Sequence, residues 1–138
     1  MLKDNHKQAI IARLKRIPIF DTLKMEIVAL DEGTCEGRIP YNKIYDGVFE
    51  SLHGGILMTL ADSFACLAVM TQTDPTERLT TTDMNIRFLA PCLSDAKVKA
   101  RVIKLGRTLC PVAVELFDAN GKPIAIAQVN YMRLGLKP

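Results

Sequence analysis

The sequence predicts an α+β domain in which a curved antiparallel sheet wraps one long central helix, with an extra helix at the N-terminus. Three observations carry that reading. The run Ile56-Leu57-Met58-Thr59-Leu60-Ala61-Asp62-Ser63-Phe64-Ala65-Cys66-Leu67-Ala68-Val69-Met70, opened by His53-Gly54-Gly55, is apolar on every side except for one carboxylate, Asp62. Segments that alternate apolar and polar residues lie on both sides of it, with turn residues between them. A helix apolar all round must be buried, and alternating segments each supply one apolar face, so two packed layers are the economical solution.

The elements follow in order. From Asp4 to Arg16, Ala9, Ile10, Leu14 and Ile17 recur at three- and four-residue spacing among lysines and arginines, which predicts a surface helix ended by Pro18. Leu23, Met25, Ile27 and Ala29 then alternate as a strand. Asp31-Glu32-Gly33 turns the chain into a second strand with Cys35, Gly37 and Ile39 on alternate positions up to Pro40. A loop from Tyr41 to Leu52 leads to the central helix, which should end near Thr73 because Thr73-Asp74-Pro75 breaks it. Four more strands are expected at 79–89, 96–105, 108–117 and 123–133, turned at Pro91, Gly106 and Asn120-Gly121, and read as a meander.

With 138 residues, 49% of them apolar, the chain has room for a single domain, spanning 1–138. A net charge of +3 without a basic run speaks against nucleic acid as a partner. A membrane span at 53–71 is disfavoured, since Asp62 at its centre would cost about 3 kcal/mol. Cys35, Cys66, Cys92 and Cys110 lie far apart with no histidine cluster, which reads as reduced structural thiols with no metal and no cofactor. The polar start Met1-Leu2-Lys3-Asp4-Asn5-His6-Lys7 is a poor secretory signal, so a cytoplasmic location is expected. The outer strands of such a sheet would be templates for pairing with a second copy, giving a homodimer or a dimer of dimers, a homotetramer.

An isolated carboxylate in an apolar helix is costly unless it has a partner or a task. Free N–H groups at a helix start, backed by the positive end of its dipole, can hold a developing oxyanion, and Gly54 and Gly55 allow close approach of a ligand to the backbone. Asp62, among Met58, Ala61, Ala65 and Cys66, is the candidate base or nucleophile. His53 reads as a helix-start residue bonding the preceding loop. From Gly55 to Asp62 is seven residues, about 10 Å along one helix, too far for both groups to reach one carbonyl carbon. Two antiparallel copies in a dimer would bring the helix start of one opposite the carboxylate of the other.

These residues, with the later run Thr82-Asp83-Met84-Asn85-Ile86-Arg87-Phe88-Leu89-Ala90-Pro91 and the segment Gly106-Arg107-Thr108-Leu109, resemble the hotdog-fold acyl-CoA thioesterases of the phenylacetate-degradation (PaaI) type. The resemblance implies a hydrolase whose substrate is a small-molecule acyl-CoA, split into free acid and CoA. It assigns Gly54 as the backbone donor to the thioester carbonyl, Asp62 as nucleophile or general base, and Thr81 as the hydroxyl that orients water or the carboxylate. Relatives commonly carry Asn six residues before the His, where this chain has Gly47. Either the backbone of the 46–52 loop, with Glu50 nearby, takes over that role, or activity is weaker or directed at other substrates. Thr81, Asp83, Asn85 and Arg87 share one parity, opposite Met84, Ile86 and Phe88, if no bulge intervenes. For the phosphates of CoA the candidates are Arg87, Lys104 and Arg107. A non-catalytic acyl-thioester-binding protein, a sensor or carrier, is the alternative. A hotdog dehydratase would need a histidine at the acyl chain, and only His6 and His53 are present.

Overall fold

In the computed structural model, residues 1–136 are described. Helix α1 (Asp4–Leu14) is followed by a short α2 (Pro18–Thr22), then by strands β1 (Glu26–Asp31) and β2 (Thr34–Ile39) and a 3-10 turn at Lys43–Tyr45. The central helix α3 spans Gly54–Met70, and four strands follow: β3 (Arg78–Phe88), β4 (Ala96–Val102), β5 (Leu109–Phe117) and β6 (Pro123–Gly135). Pro18 does not simply end a helix. It opens α2 as the first helical residue, where its fixed φ fits and its missing N–H costs nothing.

The six strands form one antiparallel sheet in the order β1-β2-β4-β5-β6-β3. The last four strands are therefore not a meander. Only β4, β5 and β6 follow one another, while β3 crosses over to pair with β6 and becomes the far edge. Local patterning identifies strands but carries no information on which pairs with which, and this crossover is where that limit tells.

The sheet curls around α3, whose Leu60, Phe64 and Leu67 are fully buried with Val98, Val112, Val114 and Val129 from the sheet. Strand β2 has the expected alternation, with Cys35, Gly37 and Ile39 all inward. Gly37 is where the layers touch most closely: a Cβ there would lie 2.0 Å from the Phe64 ring. In β1 a register shift at Val28 moves the inward line from Ile27 to Leu30, so the predicted row of Leu23, Met25, Ile27 and Ala29 is broken. Leu23 caps α2 instead.

Helix α1 closes one flank. Its Ile10 is fully buried, and His6 Nε2 bonds the carbonyl of Met70 at 2.8 Å, pinning α1 to the C-terminal end of α3. The opposite flank of α3 stays partly open. Ile56, Thr59, Asp62, Ser63 and Cys66, which recur about once per helical turn on one face, are only half-buried. Asp62 thus lies on a solvent-reachable stripe of a helix that the sequence alone reads as wholly enclosed.

Candidate active site

Asp62 sits midway along α3, facing the inner side of β3 and β6. Its Oδ1 accepts two hydroxyl hydrogen bonds, from Thr81 Oγ1 on β3 at 2.8 Å and from the Tyr131 phenol on β6 at 2.5 Å. The phenol also lies 2.8 Å from the Asp62 backbone carbonyl. One O–H donates one proton, and the carboxylate oxygen is the nearer acceptor. Among the described residues Oδ2 accepts no hydrogen bond, so one oxygen of the carboxylate is held and the other is free. Thr59, which could have bonded the carboxylate, donates instead to the carbonyl of Gly55 at 2.9 Å.

Thr81 and Tyr131 are direct neighbours across the β3–β6 ladder. Immediately beyond them β3 bulges: Thr81 opposes Tyr131 and Asp83 opposes Asn130, leaving Thr82 as the extra residue. The parity drawn from the sequence therefore breaks. Thr81 shares the inner face with Met84 and Ile86, which pack on the core, whereas Asp83, Asn85 and Arg87 are exposed on the outside. Asp83 is bonded there by Asn130 Nδ2 at 3.0 and 3.1 Å.

Tyr131 is the site residue that the sequence reading missed. It is 4% exposed, and a buried tyrosine needs a partner for its hydroxyl. A phenol on the same parity as Ala125, Ala127 and Val129 was the available signal. Burial, first of all, pushes the phenol far above its usual range, so it stays a neutral donor. Cys66, one turn beyond Asp62, is pushed up to about 11 by burial first and by the Asp62 charge second. It too keeps its proton at neutral pH and adds no second negative charge.

At the helix start, His53 acts as the N-cap. Its Nδ1 accepts from the Gly55 N–H at 2.8 Å, and its own N–H bonds the Tyr45 carbonyl. The bond from Gly55 requires the tautomer with no proton on Nδ1. Gly55, expected as a second donor, is therefore already engaged. Gly54 N–H makes no hydrogen bond among the described residues and remains the free donor. It opens onto a groove of about 370 Å³ lined by Ser51, Leu52, Leu57, Phe88 and Pro91 among others, and the Phe88 ring lies close enough that a Cβ on Gly54 would meet it at 3.1 Å.

In the 46–52 loop, where Gly47 stands in the place of the asparagine, two backbone donors are engaged within the turn. Gly47 N–H bonds Ser51 O, and Glu50, held at φ 59, gives its N–H to Gly47 O. Both backbone donors are consumed within the turn, and the Glu50 side chain is exposed. Lys104 and Arg107 lie on the β4–β5 loop, whose neighbours Val102 and Gly106 bond Gly33 and Arg133. Gly33 in turn bonds Thr71 just past the C-terminal end of α3, so this loop and Gly54 are at opposite ends of the helix. Arg87 folds onto Asn85 Oδ1 at 2.6 Å on the outer face. Within one chain the structure thus gathers Asp62, Thr81 and Tyr131, and places Gly54, the basic candidates and the acidic loop elsewhere. His6 is fastened at Met70, eight residues or about 12 Å from Asp62.

Among the described residues no cluster of metal-ligating side chains is present, and no helix is long and apolar enough to cross a membrane.

Comparison with known proteins gives a consistent result. The family model described as the thioesterase superfamily matches residues 49–125. The chain is 31% identical over 116 residues to acyl-coenzyme A thioesterase 13 of Mus musculus, covering 80% of this chain and 81% of that protein. Its fold is similar to a thioesterase family protein of Silicibacter pomeroyi, with a TM-score of 0.88, 26% identity and coverage of 94% and 98%. It is also similar in fold to the Escherichia coli PaaI protein of the phenylacetic acid degradation operon, with a TM-score of 0.87 at 20% identity and coverage of 99% of both chains.

Proposed function

Since the chain belongs to the thioesterase superfamily and carries the hotdog fold of the PaaI type, we propose that it hydrolyses an acyl-CoA thioester to free acid and CoA, at a site built between two copies of the chain. The observation that carries this is the state of Asp62: one oxygen pinned by two hydroxyls, the other unengaged, on the open flank of α3. Oδ2 is thereby left on the solvent-reachable side of α3, where water and a substrate carbonyl can approach it.

In the reaction, Gly54 N–H bonds the thioester carbonyl oxygen, and Asp62 Oδ2 takes a proton from water as the water oxygen adds to the carbonyl carbon. Negative charge on the tetrahedral oxygen is held by the N–H and the α3 dipole behind it. Collapse breaks the C–S bond, and the proton on Asp62 passes to the departing thiolate. If Asp62 instead attacks the carbonyl directly, an acyl-aspartyl anhydride forms and water then opens it. Single turnover in ¹⁸O-water identifies the direct attack when water opens the anhydride at the aspartyl carbonyl, because the first product then carries an unlabelled oxygen from Asp62 and the label enters the carboxylate.

Two copies are needed in this reading because Gly54 and Asp62 of one α3 are eight residues, about 12 Å, apart. Support for assembly comes from β3, an eleven-residue edge strand with nothing paired to its outer side among the described residues, and from Phe88 and Leu89 at its C-terminal end, each about half exposed. The four free cysteines support a reducing, cytoplasmic setting.

The test is Asp62→Asn, which keeps size and removes basicity. Turnover on an acyl-CoA panel should fall at least about a hundredfold with folding intact. Unchanged turnover would remove Asp62 from the chemistry, with Glu50 the next carboxylate to replace.

A further inference from the structure

The Asp62 cluster contains one group that the reaction as written does not use. Tyr131 reaches Asp62 from β6, a different element from the helix that carries the carboxylate and from the strand that carries Thr81. We propose that Tyr131 is a positioning residue for Asp62: with Thr81 it fixes Oδ1, so that Oδ2 is the oxygen presented to the water or the thioester. This inference rests on the reading of Asp62 given above.

The geometry accounts for each lone pair. A carboxylate oxygen that accepts two hydroxyl donors has little capacity left for a third partner. Thr81 and Tyr131 approach the same oxygen rather than one each, which leaves Oδ2 alone on the open flank of α3. Both donors stand on paired positions of the β3–β6 ladder, so the backbone hydrogen bonds of the sheet set their separation. The bulge at Thr82 follows at once and keeps the Asp83 carboxylate on the outer face, away from the pair. Around Tyr131 lie two thiols, Cys66 on α3 and Cys110 at the paired position of β5, both held above their ordinary range by burial first and therefore neutral. Rotation about the terminal bond of an aspartate is otherwise loose, and two hydroxyls from two strands remove that freedom before substrate arrives, the condition under which a reacting group is most effective.

Tyr131→Phe deletes a single oxygen from a buried ring and leaves the ring packing in place. The expected result is a kcat about tenfold lower or more, KM changed less than about twofold, and a cooperative thermal transition retained. A second readout separates positioning from general support. In the Asp62→Asn background, adding Tyr131→Phe should change kcat by less than about twofold, since there is no longer a carboxylate to orient. Thr81→Ser, which keeps a hydroxyl, should retain most activity, and Thr81→Val should lose it.

A Tyr131→Phe enzyme with wild-type kcat, or one whose only kinetic change is in KM, overturns the proposal while leaving Asp62 as the reacting group. Equal losses from Tyr131→Phe in both backgrounds overturn it as well, by assigning the phenol to general packing. Should the phenylalanine variant not fold, 3-fluorotyrosine placed at 131 keeps the shape and strengthens the donor. A kcat indistinguishable from wild type then rejects the assignment, and an altered kcat at constant KM supports it. An unaffected Asp62→Asn enzyme is a different outcome, which refutes the hydrolytic reading itself.

Discussion

Two inactive variants should make an active enzyme. Gly54→Pro removes the free N–H at the start of α3, and the local backbone accepts it. Proline is favoured at the first helical position, and His53 already has φ −57 and ψ 133, the extended conformation a residue before proline requires. The new Cβ would come 3.1 Å from the edge of Phe88, a half-exposed ring that can shift. The His53–Gly55 cap remains available because it uses the next N–H. Loss of one oxyanion donor costs about two to three orders of magnitude in turnover, and Asp62→Asn removes the base from an otherwise intact site. The two positions are about 12 Å apart on one helix, so a shared site takes one group from each copy. A heterodimer of the two variants then has one site with both defects and one with neither. Random reassociation of an equimolar mixture makes about half the dimers mixed, each with one working site, so about a quarter of wild-type activity should return from a near-zero baseline. The assay is thiol release from acyl-CoA after mild dissociation and remixing of differently tagged, separately verified folded variants. Verified heterodimers without recovered activity would refute the division of the site between copies, because a site housed in one chain keeps one defect in every copy.

Further outcomes are expected. Light scattering coupled to gel filtration should find a dimer or tetramer at micromolar concentration; a stable folded monomer contradicts the assembly argument. Gly37→Ala places a methyl 2.0 Å from the Phe64 ring and 2.7 Å from the Glu26 carbonyl, so urea unfolding should show a loss of about 1–3 kcal/mol, and an unshifted midpoint would mean that β2 and α3 are not packed as described. Burial pushes the Cys35 thiol up to about 12 from an ordinary 9.0. The unfolded chain gives up that proton near pH 9 while the native state keeps it, so the unfolded state binds fewer protons and stability falls as pH rises from about 9 to about 12, by roughly 1 kcal/mol per unit for this group. Cys35→Ala should make the same limb shallower by that amount and leave the slope below pH 9 unchanged; identical slopes above pH 9 would show that the thiol is not shielded.

What could be read from the residues was what local chemistry encodes. The apolar run of α3, its Gly-Gly start and the alternation of Cys35, Gly37 and Ile39 each express a periodicity or a turn preference that acts within a few residues. The solitary Asp62 stood out for the same reason. Three things were not encoded locally. The pairing of β3 with β6 depends on contacts some fifty residues apart in sequence, as Thr81 with Tyr131 illustrates. The bulges at Val28 and Thr82 each insert one residue that a count by twos cannot register. The engagement of Gly55 by His53 depends on a ring tautomer and a backbone angle rather than on residue type. Tyr131 lay between these cases, since a lone phenol in a row of alanine and valine asks for a partner, but only the folded sheet supplies Asp62 as that partner.

The bulge at Thr82 has a consequence for how this strand tolerates change in length. It divides β3 into two frames of opposite phase, one ending at Thr81 and one beginning at Asp83. Were Thr82 deleted, Asp83 would follow Thr81 directly, and strict alternation would keep Thr81 inward, Asp83 outward and Met84 inward, each opposite its present partner on β6. Pairing Thr82 into the ladder without loss of a residue would instead turn either Thr81 or the Met84 and Ile86 wall to the wrong face. Substitutions at Thr82 should therefore be mild, and even its deletion should leave the hydroxyl and the apolar wall aimed as they are, whereas loss of Met84 would bring Asp83 into the apolar wall.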